Sequence, residues 1–142
     1  MKTFQHLVIL TSMLLLLSAI PATAQIDAQV TFEAPFAFYA GNAQMPAGRY
    51  TVTQPDDLTH LLLIERADRS HSVFVNYVPV ESTSPSSKTE IAFNKYGTAD
   101  FLNRIALQGQ EFGMEVVASQ PEQKAATTTS AEKHSLSATR GR

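Results

Sequence analysis

The stretch Val30-Thr31-Phe32-Glu33-Ala34-Pro35-Phe36-Ala37-Phe38-Tyr39-Ala40-Gly41-Asn42-Ala43-Gln44-Met45-Pro46-Ala47-Gly48-Arg49-Tyr50-Thr51-Val52 decides the fold class. Val30 and Phe32 alternate with Thr31 and Glu33, Phe36 and Phe38 with Ala37 and Tyr39, and Tyr50 and Val52 with Arg49, Thr51 and Thr53. An apolar side chain at every second position places one face of a strand in a core and the other towards water. Gly41-Asn42 supplies a residue free to take positive φ in a tight turn, and Met45-Pro46-Ala47-Gly48 makes a second turn before Arg49 starts the returning strand.

The same rhythm runs outward from this stretch. Turn formers recur at Pro55-Asp56-Asp57, Asp68 to Ser70, Pro79 with Pro85, Gly97 and Gly109, too closely spaced for long helices. Leu61 to Ile64 has no alternation, and Val73 to Val78 is apolar on both sides. Both segments read as central strands covered on both faces and joined by the turn Ala67-Asp68-Arg69-Ser70. Lys88 to Tyr96 and Asp100 to Leu107 form a further hairpin across Gly97-Thr98-Ala99, with Ile91, Phe93, Phe101, Ile105 and Leu107 as its inward candidates. The expected fold is all-β: an antiparallel sandwich or small barrel of seven to eight strands. Pattern alone leaves both open.

The ends of the chain read differently. Residues 1–24 have the form of a secretory signal peptide. Lys2 is the only charge before Asp27, an apolar run extends from Leu7 to Ile20, and Pro21 precedes Ala22-Thr23-Ala24 as a cleavage site before Gln25. This 14-residue run spans about 21 Å as a helix, short of a hydrocarbon core of about 30 Å. The expected product is therefore exported, periplasmic or secreted, and keeps no transmembrane segment after cleavage. A β domain is expected over 25–117. The remaining stretch, 118–142, has no aromatic residue, Val or Ile, and Leu136 is its only large aliphatic side chain. Ser119-Gln120-Pro121-Glu122 reads as a capping box that opens a short helix around Gln120 to Thr127. From about Ala131 onward the polar composition predicts disorder.

Several function classes fall away on composition. The 142 residues contain no Cys, which removes disulfides, thiolate catalysis and thiolate metal sites. The formal charge is −2, with six basic against eleven acidic residues between Asp27 and Val117, and this gives no electrostatic footprint for nucleic acid. His60 and His71 open successive strands, where a hairpin could bring them together with Asp56, Asp57, Glu65 or Asp68, and His134 lies far downstream. Without an H-x-H or H-x-x-x-H spacing they read as surface imidazoles, and no metal or other cofactor is expected. Asp56 and Asp57 are explained by turn chemistry. Ser70, Ser72 and Ser82 lack a G-x-S-x-G context, and Gly41 and Gly48 do not form a phosphate loop. No catalytic residues are expected. The aromatic residues belong mostly to the core, but a phenol can sit at a rim, so Tyr39, Asn42 and Tyr96 are the candidate binding surface.

Val30-x-Phe32, Pro35-Phe36-x-Phe38-x-x-Gly41 and Pro46-Ala47-Gly48-x-Tyr50-x-Val52, together with Phe93-Asn94-Lys95-Tyr96-Gly97 followed by Phe101-Leu102, resemble the signatures of a family of short secreted proteins of unknown function from soil-dwelling Gram-negative bacteria. Ser119-x-x-Glu122 resembles the family's closing helix. The likeness runs from about Val30 to Lys124. Where such relatives tend to carry an aromatic before the Phe-Leu pair and a Trp after the following Ile, this chain has Asp100 and Ala106, which depletes any aromatic surface at that hairpin. The resemblance implies a compact β domain with a helical end, and no activity. The expected function is a non-enzymatic exported module that binds another envelope protein or a surface polymer. The alternatives are a carrier of a small apolar ligand inside a barrel and a hydrolase or metal enzyme.

Overall fold

The computed structural model describes residues 29–141. The expected export segment, residues 1–24, lies outside the described residues. Ten strands form in chain order: β1 (Val30–Ala34), β2 (Phe38–Ala40), β3 (Ala43–Met45), β4 (Gly48–Thr53), β5 (Leu61–Arg66), β6 (Ser72–Glu81), β7 (Glu90–Tyr96), β8 (Ala99–Ala106), β9 (Phe112–Val116) and β10 (Glu132–Arg140). One helix, α1 (Gln120–Ala126), precedes β10.

Eight of these strands close into an antiparallel barrel in the order β8-β7-β10-β1-β4-β5-β6-β9, and β9 pairs back to β8 through Arg104↔Glu115, Ile105↔Met114 and Ala106↔Gly113. Of the two architectures left open by the pattern, the barrel is the one formed. The alternation quoted at the outset is its mechanism. Val30, Phe32 and Ala34 of β1 face Val52, Tyr50 and Gly48 of β4 rung by rung, and the first two pairs are buried. The short β2–β3 hairpin lies outside the ring. It turns at Gly41 (φ +60°) and leans on the first half of β8 through Tyr39↔Phe101.

A cluster of rings fills one half of the interior. Phe38 packs edge-on to Tyr50 and Phe93 at centroid distances of 5.1 and 5.4 Å, and Phe32 stacks on Tyr50 at 5.7 Å. Phe36 and His134 close the cluster against Phe93 at 5.2 and 5.5 Å. The Tyr50 hydroxyl donates to the Pro46 carbonyl, which ties the core ring to the turn that starts its own strand.

Three expectations require correction. The disordered tail after Ala131 is instead β10, which pairs with β7 from Glu132↔Lys95 to Ser137↔Glu90 and with β1 from Arg140↔Val30 to Ala138↔Phe32. Its alternation is present but muted. The half-buried positions are His134, Leu136 and Ala138, and a strand between two existing edges satisfies its backbone without large side chains. The barrel therefore takes in both sides of the expected boundary at residue 117. Second, β5 and β6 are not covered on both faces. Leu62, Ile64, Val75 and Tyr77 point inward, whereas Phe74 and Val78 are about half exposed on the outer wall. Third, Phe101 is buried outside the barrel wall and not in the core cluster. The register slips between Ala92 and Phe93, whose partners are Arg104 and Leu102, so Asn103 is an extra residue and the alternation of β8 changes phase there.

The helix matches its capping signal with one change. The Glu122 backbone N–H donates to Ser119 Oγ at 3.4 Å, but the Glu122 carboxylate does not return to the cap. It is buried on the barrel wall, where it accepts from Asn94 Nδ2 at 3.1 Å.

Two outcomes check this architecture. Phe38→Ala removes a ring that is 1% exposed and is expected to cost about 3–5 kcal/mol in urea unfolding. Ending the chain at Ala131 removes β10 and leaves β1 and β7 as open edges. The expected result is loss of the cooperative transition, and a truncated protein that still unfolds in one sharp step would contradict closure by β10.

Candidate functional site

The expected binding residues Tyr39, Asn42 and Tyr96 do not form one surface. Tyr39 stacks on Phe101 at 4.8 Å with ring planes 14° apart, and Tyr96 packs edge-on to the same ring at 5.7 Å. Both tyrosines are half-buried, so they serve as struts that hold β2 and the end of β7 against β8. Asn42 is exposed at the tip of the β2–β3 hairpin and takes no part in that stack.

The histidines are equally dispersed. The β5–β6 ladder runs from Leu61↔Asn76 to Glu65↔Ser72, so His60 and His71 lie at its opposite ends. His60 sits edge-on to Tyr77 at 5.7 Å, while His71 is beside the tight turn. There Asp68 accepts from Ser70 Oγ at 2.6 Å and from Arg66 at 2.8 Å, and His71 Nδ1 lies 2.9 Å from Ser70 Oγ. Those hydrogen bonds, the Ser70 hydroxyl's foremost, hold the Asp68 carboxyl below the usual aspartate range. The serine stands between the carboxylate and the imidazole. A nucleophilic triad needs the imidazole in the middle, so this arrangement locks a turn. His134 pairs with buried Asp100 at 2.6 Å and helps to seat β10. Among the described residues, no three His, Asp or Glu side chains converge as a metal set would require.

The concave feature of the interior is a pocket of about 180 Å³ at the barrel end away from the ring cluster. Antiparallel order makes it. The start of β1 (Val30), the end of β4 (Val52), the start of β5 (Leu62), the later part of β6 (Tyr77, Pro79) and the start of β9 (Phe112, Met114) all meet at this end. Leu107, just beyond β8, completes the wall. Val30, Val52 and Leu62 form a buried apolar lining, and Phe112, 56% exposed, is the lip. The space is close to the ~150 Å³ that admits a single benzene-sized ring in an apolar protein cavity, and well below the ~300–1,000 Å³ of drug-sized sites. It can therefore desolvate one ring or a short alkyl group. Sequence reading placed Leu107 inward and took Pro79 as a turn former, but the gathering of strand ends at one rim depends on closure and has no local signal.

No family model, no curated protein and no solved structure matches this chain. No helix among the described residues is long and apolar enough to cross a membrane.

Two tyrosine hydroxyls carry a pH signature. Burial raises Tyr50 above the ordinary tyrosine pKa of 10.0, with Arg66 opposing and Asp68 adding to the rise. Burial also raises Tyr96, and the Glu122 charge and the hydrogen bond to Glu122 reinforce it. A proton held more tightly in the folded state contributes stability that is complete below the ordinary pKa and is lost as pH rises through the raised value. Stability should therefore fall as pH climbs past about 10. In ultraviolet titration two hydroxyls of the native protein ionise later than in the unfolded chain, and Tyr96→Phe removes one of the two late steps.

Proposed function

We propose that this chain is an exported, non-enzymatic binding module whose barrel presents a socket for an apolar group of another envelope protein or of a surface polymer. The observation that carries the reading is the pocket at the barrel end, apolar in its walls and lipped by the exposed ring of Phe112. A small, preformed apolar socket with a projecting aromatic is suited to anchoring one side chain at the centre of a contact. The signal-peptide pattern of residues 1–24 and the resemblance to short secreted proteins of soil-dwelling Gram-negative bacteria support the compartment, periplasmic or secreted.

The same pocket favours a second reading, a carrier of a small apolar molecule. The ring cluster around Phe93 occupies the rest of the interior, so such a cargo is limited to about one ring.

Filling the socket tests both readings. Met114→Trp places a larger side chain at the pocket wall, and it is expected to abolish the amide shifts that indole produces at Val52, Leu62 and Tyr77 of the wild-type protein while leaving the melting temperature within a few degrees. Indole shifts that persist in the variant would remove the socket from the account. Native mass spectrometry of the wild-type protein separates the readings, since a carrier retains a co-purified small molecule and an anchoring module does not.

A further inference from the structure

A second, larger depression lies on the outer wall, where β7, β8 and β9 run side by side beneath the Ser82–Ser87 connection. Its volume is about 580 Å³. Two rungs make its floor. Glu90, Ala106 and Gly113 face each other across the three strands on one, and Ala92, Arg104 and Glu115 on the next. Ala92, Ala106 and Gly113 are small, which sinks the floor. The connection above it is fastened by backbone hydrogen bonds. Ser82 N–H donates to the Glu111 carbonyl at 2.7 Å, Ser86 N–H to the Gln110 carbonyl at 3.0 Å, and Gly109 N–H to the Ser86 carbonyl at 2.8 Å.

Arg104 is the unusual member. It faces this cleft because the extra residue Asn103 reverses the alternation of β8, a use of a bulge to re-aim a side chain. Its guanidinium lies across Gly113, where a Cβ would come within 2.5 Å of Nε. One Nη donates to Ser82 Oγ at 2.5 Å, yet Nε is buried and has no hydrogen-bond partner. Glu115, directly opposite on β9, is not within ion-pair distance. A buried guanidinium donor without an acceptor is costly to keep, and a small shift of this side chain towards the cleft would let an acceptor from outside satisfy it.

We propose that this cleft binds a neutral oligosaccharide segment, with Arg104 donating to its hydroxyl or ring oxygens. The lining alternates donors, acceptors and hydroxyls that do both: Arg104 and Lys133 are offset by Glu90 and Glu115, and Ser84 and Ser87 supply hydroxyls. A polyol matches such a mixture hydroxyl by hydroxyl, whereas the balanced charges give a uronate or phosphate no net attraction. Phe112 borders the cleft as well as the socket and offers an apolar face for the C–H side of a pyranose. The inference rests on the reading of the chain as a binding module and narrows the surface polymer to a glycan, but it uses a cleft that meets the socket only along Gln110, Phe112 and Gly113.

Amide shift mapping tests it with cellotetraose, xylotetraose, mannotetraose and chitotetraose as neutral probes and tetragalacturonate as the acidic counter-probe. At least one neutral probe should shift Ser82 to Ser87 and Asn103 to Ala106 saturably at millimolar concentration. Gly113→Ala, which displaces only the flexible end of Arg104, should weaken that binding about tenfold or more. Arg104→Lys, which keeps the charge and drops Nε, should do the same. The proposal is overturned if no neutral probe shifts these residues, if tetragalacturonate alone does, or if both variants bind like the wild type. Shifts confined to Val52, Leu62 and Tyr77 would also overturn it while leaving the socket standing. Absence of indole shifts in the wild-type protein, with the cleft shifts intact, would fell the socket alone.

Discussion

Pairing of β10 with both β1 and β7 is the constraint on which the rest of the structure depends. Without it the sheet would be an open ribbon with two long unpaired edges, and its inner face would meet water. With it, eight strands enclose an interior only wide enough for side chains, and Phe32, Phe38, Tyr50 and Phe93 fill one half of that space. The closing strand brings little apolar surface of its own. Its backbone ladder and a few specific contacts hold it: His134 seated between Phe36 and Phe93 and paired with Asp100, and the Ala138 N–H donating to the Thr89 carbonyl at 3.0 Å.

The chain between β9 and β10 is held by polar clips. Glu122 and Asn94 are both buried on the outer wall, where Asn94 donates to the Glu122 carboxylate at 3.1 Å. A buried carboxylate needs such donors, since an unpaired one would oppose docking of the helix. The short helix α1 thus serves as a spacer with one anchored face, which delivers the chain to the position where β10 must begin. The exposed ion pairs, such as Arg49 with Glu33 at 3.6 Å, add little by comparison.

Closure also creates both candidate sites. The socket exists because the strand ends gather at a rim that the ring cluster does not reach. The polar cleft exists because the Ser82–Ser87 connection must cross the outside of β8 and β9 to reach β7. Phe112 stands at the border of the two, so socket and cleft open side by side on one flank of the barrel.

Strand identity was legible wherever period-two alternation coincided with large side chains, as in Val30–Phe32 against Tyr50–Val52, and the helix was legible from Ser119, Pro121 and Glu122. The last strand was not, because His134, Leu136 and Ala138 present the inward period with side chains too small or too polar to register as a core face. Leu63, Phe74 and Val78 misled in the opposite sense, since an apolar residue on a strand does not say whether anything covers it. The candidate surface at Tyr39 and Tyr96 was displaced by a contact with Phe101, whose direction a one-residue bulge sets. The amino-acid order by itself determined that this protein is built from short antiparallel strands with a capped helix near its end, since alternation and turn chemistry act over a few residues. Only the tertiary structure decided that the sheet closes, that its polar end supplies the closing strand, and where its concave surfaces lie. Those outcomes depend on which edges meet across a hundred residues of chain, and no local pattern encodes that meeting.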